Sequence, residues 1–223
     1  MNMIPEIEGN LRRHMIRVPQ EIEQASGIRI FGKLIKSLVF TTDVAIIRNC
    51  NANAVIAVYP FTPQPIITHS IISCSDVPVF CGIGGGTTTG KRVVNLAEDA
   101  EFRGAMGIVV NAPTPNETIC YLKQKIEIPI VITVASDRTD IGKRLESGAE
   151  ILNVSCAART VEVVQNIRKD FPHVPIIATG GPTKESILET INAGANAITY
   201  TPPTNGQIFK ELMMKYRKED YEH

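Results

Sequence analysis

The sequence predicts an α/β fold: a single (β/α)8 TIM barrel preceded by a short N-terminal helix and hairpin. Three observations point there. Eight short apolar, β-branched runs recur from residue 37 onward, their starts 17 to 29 residues apart. Segments of helical period separate them. The lead-ins to the runs alternate between two chemical types. Strands apolar on both faces suit a buried parallel sheet covered by helices, and eight such units favour a closed ring over an open sheet.

In chain order, residues 1–36 form an extension and residues 37–223 the barrel. Pro19-Gln20-Glu21-Ile22-Glu23-Gln24-Ala25 reads as a short helix with proline in its first turn, stopped near Gly27. Residues 29–36 alternate around Gly32 and read as a small hairpin. The extension is expected to cover the N-terminal mouth of the barrel. The eight strands read as 37–41, 54–59, 77–82, 106–111, 130–135, 151–156, 176–181 and 197–201. Helical stretches read as 91–103, 116–125, 138–147, 161–171 and 184–193, with 207–218 as a closing helix.

The fourth, sixth and eighth strands are entered through Gly104-Ala105-Met106, Gly148-Ala149-Glu150 and Gly194-Ala195-Asn196, and the second through Asn51-Ala52-Asn53. Glycine, or less often asparagine, suits the left-handed residue that ends a helix. The third, fifth and seventh strands are entered through Val77-Pro78-Val79, Ile128-Pro129-Ile130 and Val174-Pro175-Ile176. Proline is tolerated at the start of a strand, where its missing N–H spoils no ladder bond. The chain therefore repeats in (βα)2 units, and alternate strands share core layers in a barrel.

Composition narrows the function classes. The 223 residues carry 23 Lys plus Arg against 23 Asp plus Glu, so no net field draws in nucleic acid or an anionic membrane. Five cysteines without C-x-x-C spacing read as reduced core thiols in a cytoplasmic protein. Residues 1–13 lack the apolar stretch of a signal peptide, and no apolar run approaches a membrane span. A homo-oligomer is left open.

Barrel sites lie at the C-terminal ends of the strands. After the third strand, Gly82-Ile83-Gly84-Gly85-Gly86-Thr87-Thr88-Thr89-Gly90-Lys91-Arg92 could turn backbone N–H groups toward an anion, helped by the following helix N-terminus. Residues 85–91 match G-x-x-x-x-G-K, but Arg92 stands where a P-loop needs Ser or Thr, and a barrel is the wrong context. The competing reading is a flexible lid. Gly84, Gly85, Gly86, Thr87 and Lys91 are the anion-binding candidates here. At the rim, Asp43 and Asp137 are candidate general acid/base groups, and each would equally serve as a helix N-cap. Tyr59, Asn111, Thr133, Ser155, Cys156, Thr179 and Tyr200 could give neutral hydrogen bonds, and Arg159 and Lys184 could pair with an acidic ligand. None of the strand cores holds Lys, Asp, Glu or His, which speaks against Schiff-base chemistry. The four histidines avoid the strand ends, so neither a metal nor a cofactor is expected.

The exit of the seventh strand, Ile176-Ile177-Ala178-Thr179-Gly180-Gly181-Pro182-Thr183, with Ser186-Ile187-Leu188 and Ala193-Gly194-Ala195-Asn196-Ala197, resembles the phosphate-binding barrel superfamily. That group includes 2-keto-3-deoxy-6-phosphogluconate aldolase, thiamine phosphate synthase and N-acylmannosamine-phosphate epimerase. The resemblance implies that Thr179, Gly180 and Gly181, with the loop after the eighth strand, hold a substrate phosphate. That loop departs from the pattern: in Thr201-Pro202-Pro203-Thr204-Asn205-Gly206 only Thr204, Asn205, Gly206 and the following Gln207 could donate an N–H. Val18-Pro19-Gln20-Glu21-Ile22-Glu23 and residues 82–90 also resemble a little-characterised bacterial β/α-barrel family labelled "hydrolase".

The expected function is an enzyme acting on a small phosphorylated or otherwise anionic metabolite, with lyase, isomerase, transferase and hydrolase chemistry all open. The alternative is a non-catalytic, metabolite-sensing barrel, similar to the glycerol-uptake antiterminators. A scaffold whose outer helices dock a partner is the third possibility.

Overall fold

The computed structural model describes residues 5, 7, 9–10, 15–86 and 88–221, with the backbone alone for 219–221. Thr87, His14 and His223 lie outside the described residues. Eight parallel strands close into a ring: β3 (Ser37–Phe40), β4 (Ala54–Ala57), β5 (Val79–Gly84), β6 (Gly107–Val110), β7 (Ile130–Val134), β8 (Ile151–Val154), β9 (Ile176–Thr179) and β10 (Ala197–Tyr200), the last pairing with β3. The fold is a (β/α)8 barrel. Ahead of it, β1 (Ile28–Ile30) and β2 (Lys33–Ile35) form a separate antiparallel hairpin, turned at Phe31 and Gly32, both at positive φ. Before the hairpin, Gln20–Gln24 forms a 3-10 turn, shorter and tighter than the helix the proline suggests.

Alternation along the strands sorts the core into two layers. Inward residues Leu38, Ala54, Ile56, Phe80, Val109, Val131, Ile151, Ile177 and Ala197 pack with Ile28, Ile30 and Ile35 of the hairpin. Outward residues such as Val55, Ile108, Ile132 and Leu152 pack under the helices. Phe80 is fully buried and fills the axis; a Cβ on Gly107 of β6 would lie 2.8 Å from its ring. That clash, more than backbone freedom, accounts for the glycine.

The alternating lead-ins have a structural cause. Gly104, Gly148 and Gly194 all take positive φ, ending their helices as the left-handed residue. Asn51 does not; its Oδ1 instead accepts from Val18 N–H at 2.8 Å and ties down the N-terminal segment. In three of the four repeats the residue just before an even strand serves the first amides of the preceding odd strand. Asn53 Oδ1 accepts from Lys36 and Ser37 N–H, Glu150 Oε2 from Ile130 N–H, and Asn196 Oδ1 from Ile176 N–H. The prolines before Ile130 and Ile176 have no N–H of their own, so one side chain suffices at each lead-in.

The helices are α1 (Val44–Arg48), α2 (Pro65–Cys74), α3 (Lys91–Phe102), α4 (Asn116–Lys123), α5 (Ile141–Glu146), α6 (Thr160–Asp170), α7 (Lys184–Asn192) and α8 (Asn205–Tyr221). α5 starts three residues later than its period suggests, because Asp140 Oδ1 caps it by accepting from Lys143 N–H. The expected closing helix does not cover the barrel. Ile22 and Ala25 of the N-terminal segment are buried, and Ile16 and Val18 pack on the same outer layer as Val39, Ile198 and Tyr200. With that flank of β10 and β3 covered, α8 leaves Phe209, Met213, Met214 and Tyr216 exposed. No described helix is long and apolar enough to cross a membrane.

Candidate functional site

The C-terminal ends of the strands form a mouth whose walls differ from side to side. On β5 the inward position is Gly82, where a Cβ would sit 3.1 Å from Val58 Cγ2 and 3.2 Å from the Ala57 carbonyl. The ladder between β5 and β6 slips between Gly82 and Gly84, a bulge of the kind that re-aims backbone at a sheet rim. The glycine loop that follows is a shaped turn. Gly84 and Gly85 hold φ near +108° and +109°. Gly85 N–H donates to the Thr88 carbonyl and Asn111 N–H to the Gly84 carbonyl, both at 3.0 Å. A Cβ on Gly85 would fall 1.8 Å from Thr114 Oγ1, so the loop lies directly on the segment after β6.

This wall bounds a cavity of about 420 Å³ lined by Tyr59, Phe61, Gly84, Gly86, Thr88 and Asn111, among others. The Tyr59 hydroxyl accepts from Gln64 N–H at 3.0 Å and folds the loop after β4 over the cavity. A second cavity of about 470 Å³ opens at the exits of β9 and β10, where Thr179, Gly181 and Thr201 contribute. The candidate anion binders are thus divided between two cavities on one face. Lys91 is exposed at the first turn of α3, and Arg159 lies at the exit of β8; neither lines the first cavity.

The Gly180-Gly181 turn has a packing explanation of its own. A Cβ on Gly180 would meet Ile198 Cγ2 at 2.7 Å and Ile187 Cγ1 at 3.0 Å, so the glycine lets α7 approach β10. Gly181 takes φ +76° beside Ser186, which forms a reciprocal capping box with Thr183. Thr204 and Gln207 are bonded in the same reciprocal way: Thr204 N–H donates to Gln207 Oε1 at 2.7 Å, and Gln207 N–H to Thr204 Oγ1 at 3.2 Å. The Thr204 amide is therefore already engaged, while Gly206 is exposed on the first turn of α8.

Both rim aspartates are engaged as well. Asp43 caps α1, its Oδ1 accepting from Ala45 and Ile46 N–H, while Oδ2 accepts from Asn205 Nδ2 at 2.5 Å. Asp137 caps no helix. It pairs with Arg159 at 2.9 Å, and the guanidinium hydrogen bond is the main cause holding its carboxyl below the usual range. Arg159 also binds Glu162 at 3.1 Å, so its charge is shared between two carboxylates. Burial, then the nearby Asp137 charge, pushes the Cys156 thiol up, and its Sγ donates to the Val134 carbonyl at 3.3 Å. That environment suits a resting thiol rather than a nucleophile.

Two features go beyond the sequence reading, although Ser155 and Thr179 of the second are among its neutral candidates. Arg144 of α5 reaches across to the segment after β6, donating to the carbonyls of Ala112 and Thr114 and to Asn116 Oδ1, and so braces the ground on which the glycine loop rests. On the far side of the mouth, Thr179 Oγ1 donates to Ser155 Oγ at 3.3 Å, beside Thr199 in the neighbouring strand. A single threonine two residues beyond an inward apolar residue, in both β9 and β10, is the sequence signal for this second feature. Among the described residues, no three His, Cys, Asp or Glu side chains come together in a way that could hold a metal ion.

No family model matches the chain, and no curated protein matches it in sequence. Solved structures do match in fold. A protein assigned as a phosphonomutase from Burkholderia cenocepacia superposes with a TM-score of 0.64 at 15% identity, covering 86% of this chain and 94% of the other. A phosphonopyruvate hydrolase gives 0.64 at 13% identity, covering 86% and 85%. Inosine 5'-monophosphate dehydrogenase from Legionella pneumophila gives 0.61 at 15% identity, covering 81% and 66%. At these identities the likeness is one of fold, the (β/α)8 barrel.

Proposed function

We propose that this chain is a cytoplasmic enzyme acting on a small phosphorylated or otherwise anionic metabolite at the C-terminal mouth of the barrel. The observation that carries this reading is the cavity at β4 to β6, which gathers Gly84 and Gly86 of the glycine loop with Tyr59 and Asn111. Among the described residues, no charged side chain lines it. Recognition of an anion there rests on backbone N–H groups of the glycine loop, since the first turn of α3 lies outside the cavity lining. Such donors are fixed before the ligand arrives, so they stabilise charge that develops during a reaction without first reorganising. The structural neighbours support the reading, since phosphonomutase and phosphonopyruvate hydrolase, as named, act on small anionic compounds. Asp43 or Asp137 serves as acid or base in this scheme only once it leaves its present partners.

That last condition favours a second reading, a barrel that binds the metabolite and senses it without turnover. Both aspartates are held in bonds a structural role would need. A thermal-shift screen with phosphosugars and phosphorylated vitamin precursors tests the shared part of the two readings. A ligand at about 100 times its Kd adds about 2.7 kcal/mol of stability. Gly86→Asp is the informative variant: nothing lies within 4 Å of a Cβ there, so the side chain fits and brings a negative charge into the cavity. It should abolish the shift. An undiminished shift places the anion elsewhere. Product formation with the same ligand, followed by NMR, supports the enzyme; saturable binding without product supports the sensor.

A further inference from the structure

We infer that Ser155, Thr179 and Thr199 form a hydroxyl rail that receives an uncharged, hydroxyl- or carbonyl-bearing part of the ligand, opposite the glycine wall. The inference rests on the reading of the mouth given above and narrows its substrate class to phosphorylated polyols and sugars.

The rail follows from strand alternation. Ile177 and Ala197 belong to the inner layer, and Ile176, Ala178 and Ile198 to the outer one. Thr179 and Thr199, two residues beyond Ile177 and Ala197, therefore face the axis. They are register partners on neighbouring strands. Thr179 Oγ1 already donates to Ser155 Oγ at 3.3 Å. Thr199 has only 8% of its surface exposed, yet its Oγ1 has no hydrogen-bond partner. A buried hydroxyl without a partner costs stability, and valine would fill the same space without that cost. A hydroxyl retained there, beside two others, points to a group that arrives from outside.

The ring order decides what the rail faces. From β5, four steps around the eight strands lead to β9, so the two are diametrically opposed. On β5 the inward residue is Gly82, with Gly84 after the bulge, and the missing side chains open the mouth on that side. Thr179 and Thr199 line the second cavity, so a ligand with its anion on the glycine wall reaches them by spanning the mouth from the first cavity to the second. At Thr179 and Thr199 the far wall offers hydroxyls, and the nearby Arg159 is already shared between Asp137 and Glu162, so the wall matches neutral hydrogen-bonding groups better than a second anion.

Isothermal titration with inorganic phosphate, glycerol 3-phosphate, D-ribose 5-phosphate and D-glucose 6-phosphate tests this. The wild-type protein should bind at least one of the three organic phosphates about tenfold or more tightly than inorganic phosphate. Thr199→Val should reduce that advantage by about three- to tenfold and leave inorganic phosphate unchanged, the scale of one hydrogen bond. Thr199→Ser, which keeps the hydroxyl, should retain the wild-type affinity and shows that a loss in the valine variant is not a folding defect. Equal binding of all four compounds, or a valine variant with wild-type affinities, overturns the rail and leaves the glycine wall standing. Failure of all four to bind overturns the reading of the mouth and the rail with it.

Discussion

Side chains at the N-terminal end of the barrel are tied into an extended hydrogen-bond network, whereas the C-terminal end keeps buried hydroxyls unmatched. At the first end Arg168 donates to the carbonyls of Pro172, Val174 and Gly194 and to Asn196 Oδ1, at 2.7 to 3.0 Å. Asn196 Nδ2 passes the chain on to Ser26 Oγ at 2.9 Å, fastening the N-terminal segment to the lead-in of β10. At the other end glycines replace side chains on β5, and Thr114 and Thr199 keep buried hydroxyls without partners. The first end is organised to hold the ring closed. The second gives up some of that stability and gains an open, polar surface where eight strand ends converge.

On this contrast, disturbance at the closed end should cost stability and leave binding alone. The largest effect is expected from Phe80→Ala, which empties the barrel axis and should cost about 3–5 kcal/mol in urea unfolding. Arg168→Met should follow, at about 2–4 kcal/mol, because it strands several carbonyls at once. An effect below 1 kcal/mol would show that water replaces the guanidinium without difficulty.

Alkali should expose the buried thiol on β5. Burial pushes the Cys81 thiol up to about 12, against 9.0 for a free one. The folded thiol is therefore still neutral at pH 10 while the unfolded one is largely ionised. That difference removes stability as pH rises above 9, by about 1.4 kcal/mol at pH 10. Cys81→Ala should flatten this part of the pH profile; a slope that persists belongs to other groups.

Smaller effects are expected at the rim. Asp43→Ala should cost about 1 kcal/mol through the lost cap, and Asp43→Asn much less. Neither should weaken ligand binding, although either would abolish turnover if Asp43 were the acid or base. The pair Asp137–Arg159 should be nearly silent in stability, being exposed. Its signature is electrostatic: the depressed Asp137 carboxyl contributes above its unfolded value and ceases to contribute as pH falls through its folded one. An NMR titration of Arg159→Ala should show that carboxyl returning upward to the ordinary range.

The closed end was the more readable in sequence. Glycine before even strands and proline before odd ones are local chemistry, and they mark the strand starts within a residue or two. Even there, the work of Asn53, Glu150 and Asn196 is invisible until strand neighbours are known, since each side chain serves an amide about 20 residues upstream. Helix α2 was obscured by its β-branched composition, Pro-Ile-Ile-Thr-His-Ser-Ile-Ile-Ser-Cys, which carries little helical period. The closing helix is legible in place, but nothing in its own sequence says that the flank it would cover is taken by residues 16–25. At the mouth, the glycine loop is legible as a loop, whereas the partner of Asp137 is a contact between the segments that follow β7 and β8. The hydroxyl rail is half legible: Ser155 and Thr179 are among the neutral candidates, and Thr199 is not.

The central claim is that an anion rests on the backbone of the glycine wall. Amide chemical shifts of the protein titrated with inorganic phosphate test it most directly. The account predicts saturable shifts concentrated at Gly84, Gly86, Thr88 and Asn111, absent in Gly86→Asp. Shifts confined to the basic side chains of the outer helices, or to the N-terminal end around Arg168, would contradict it.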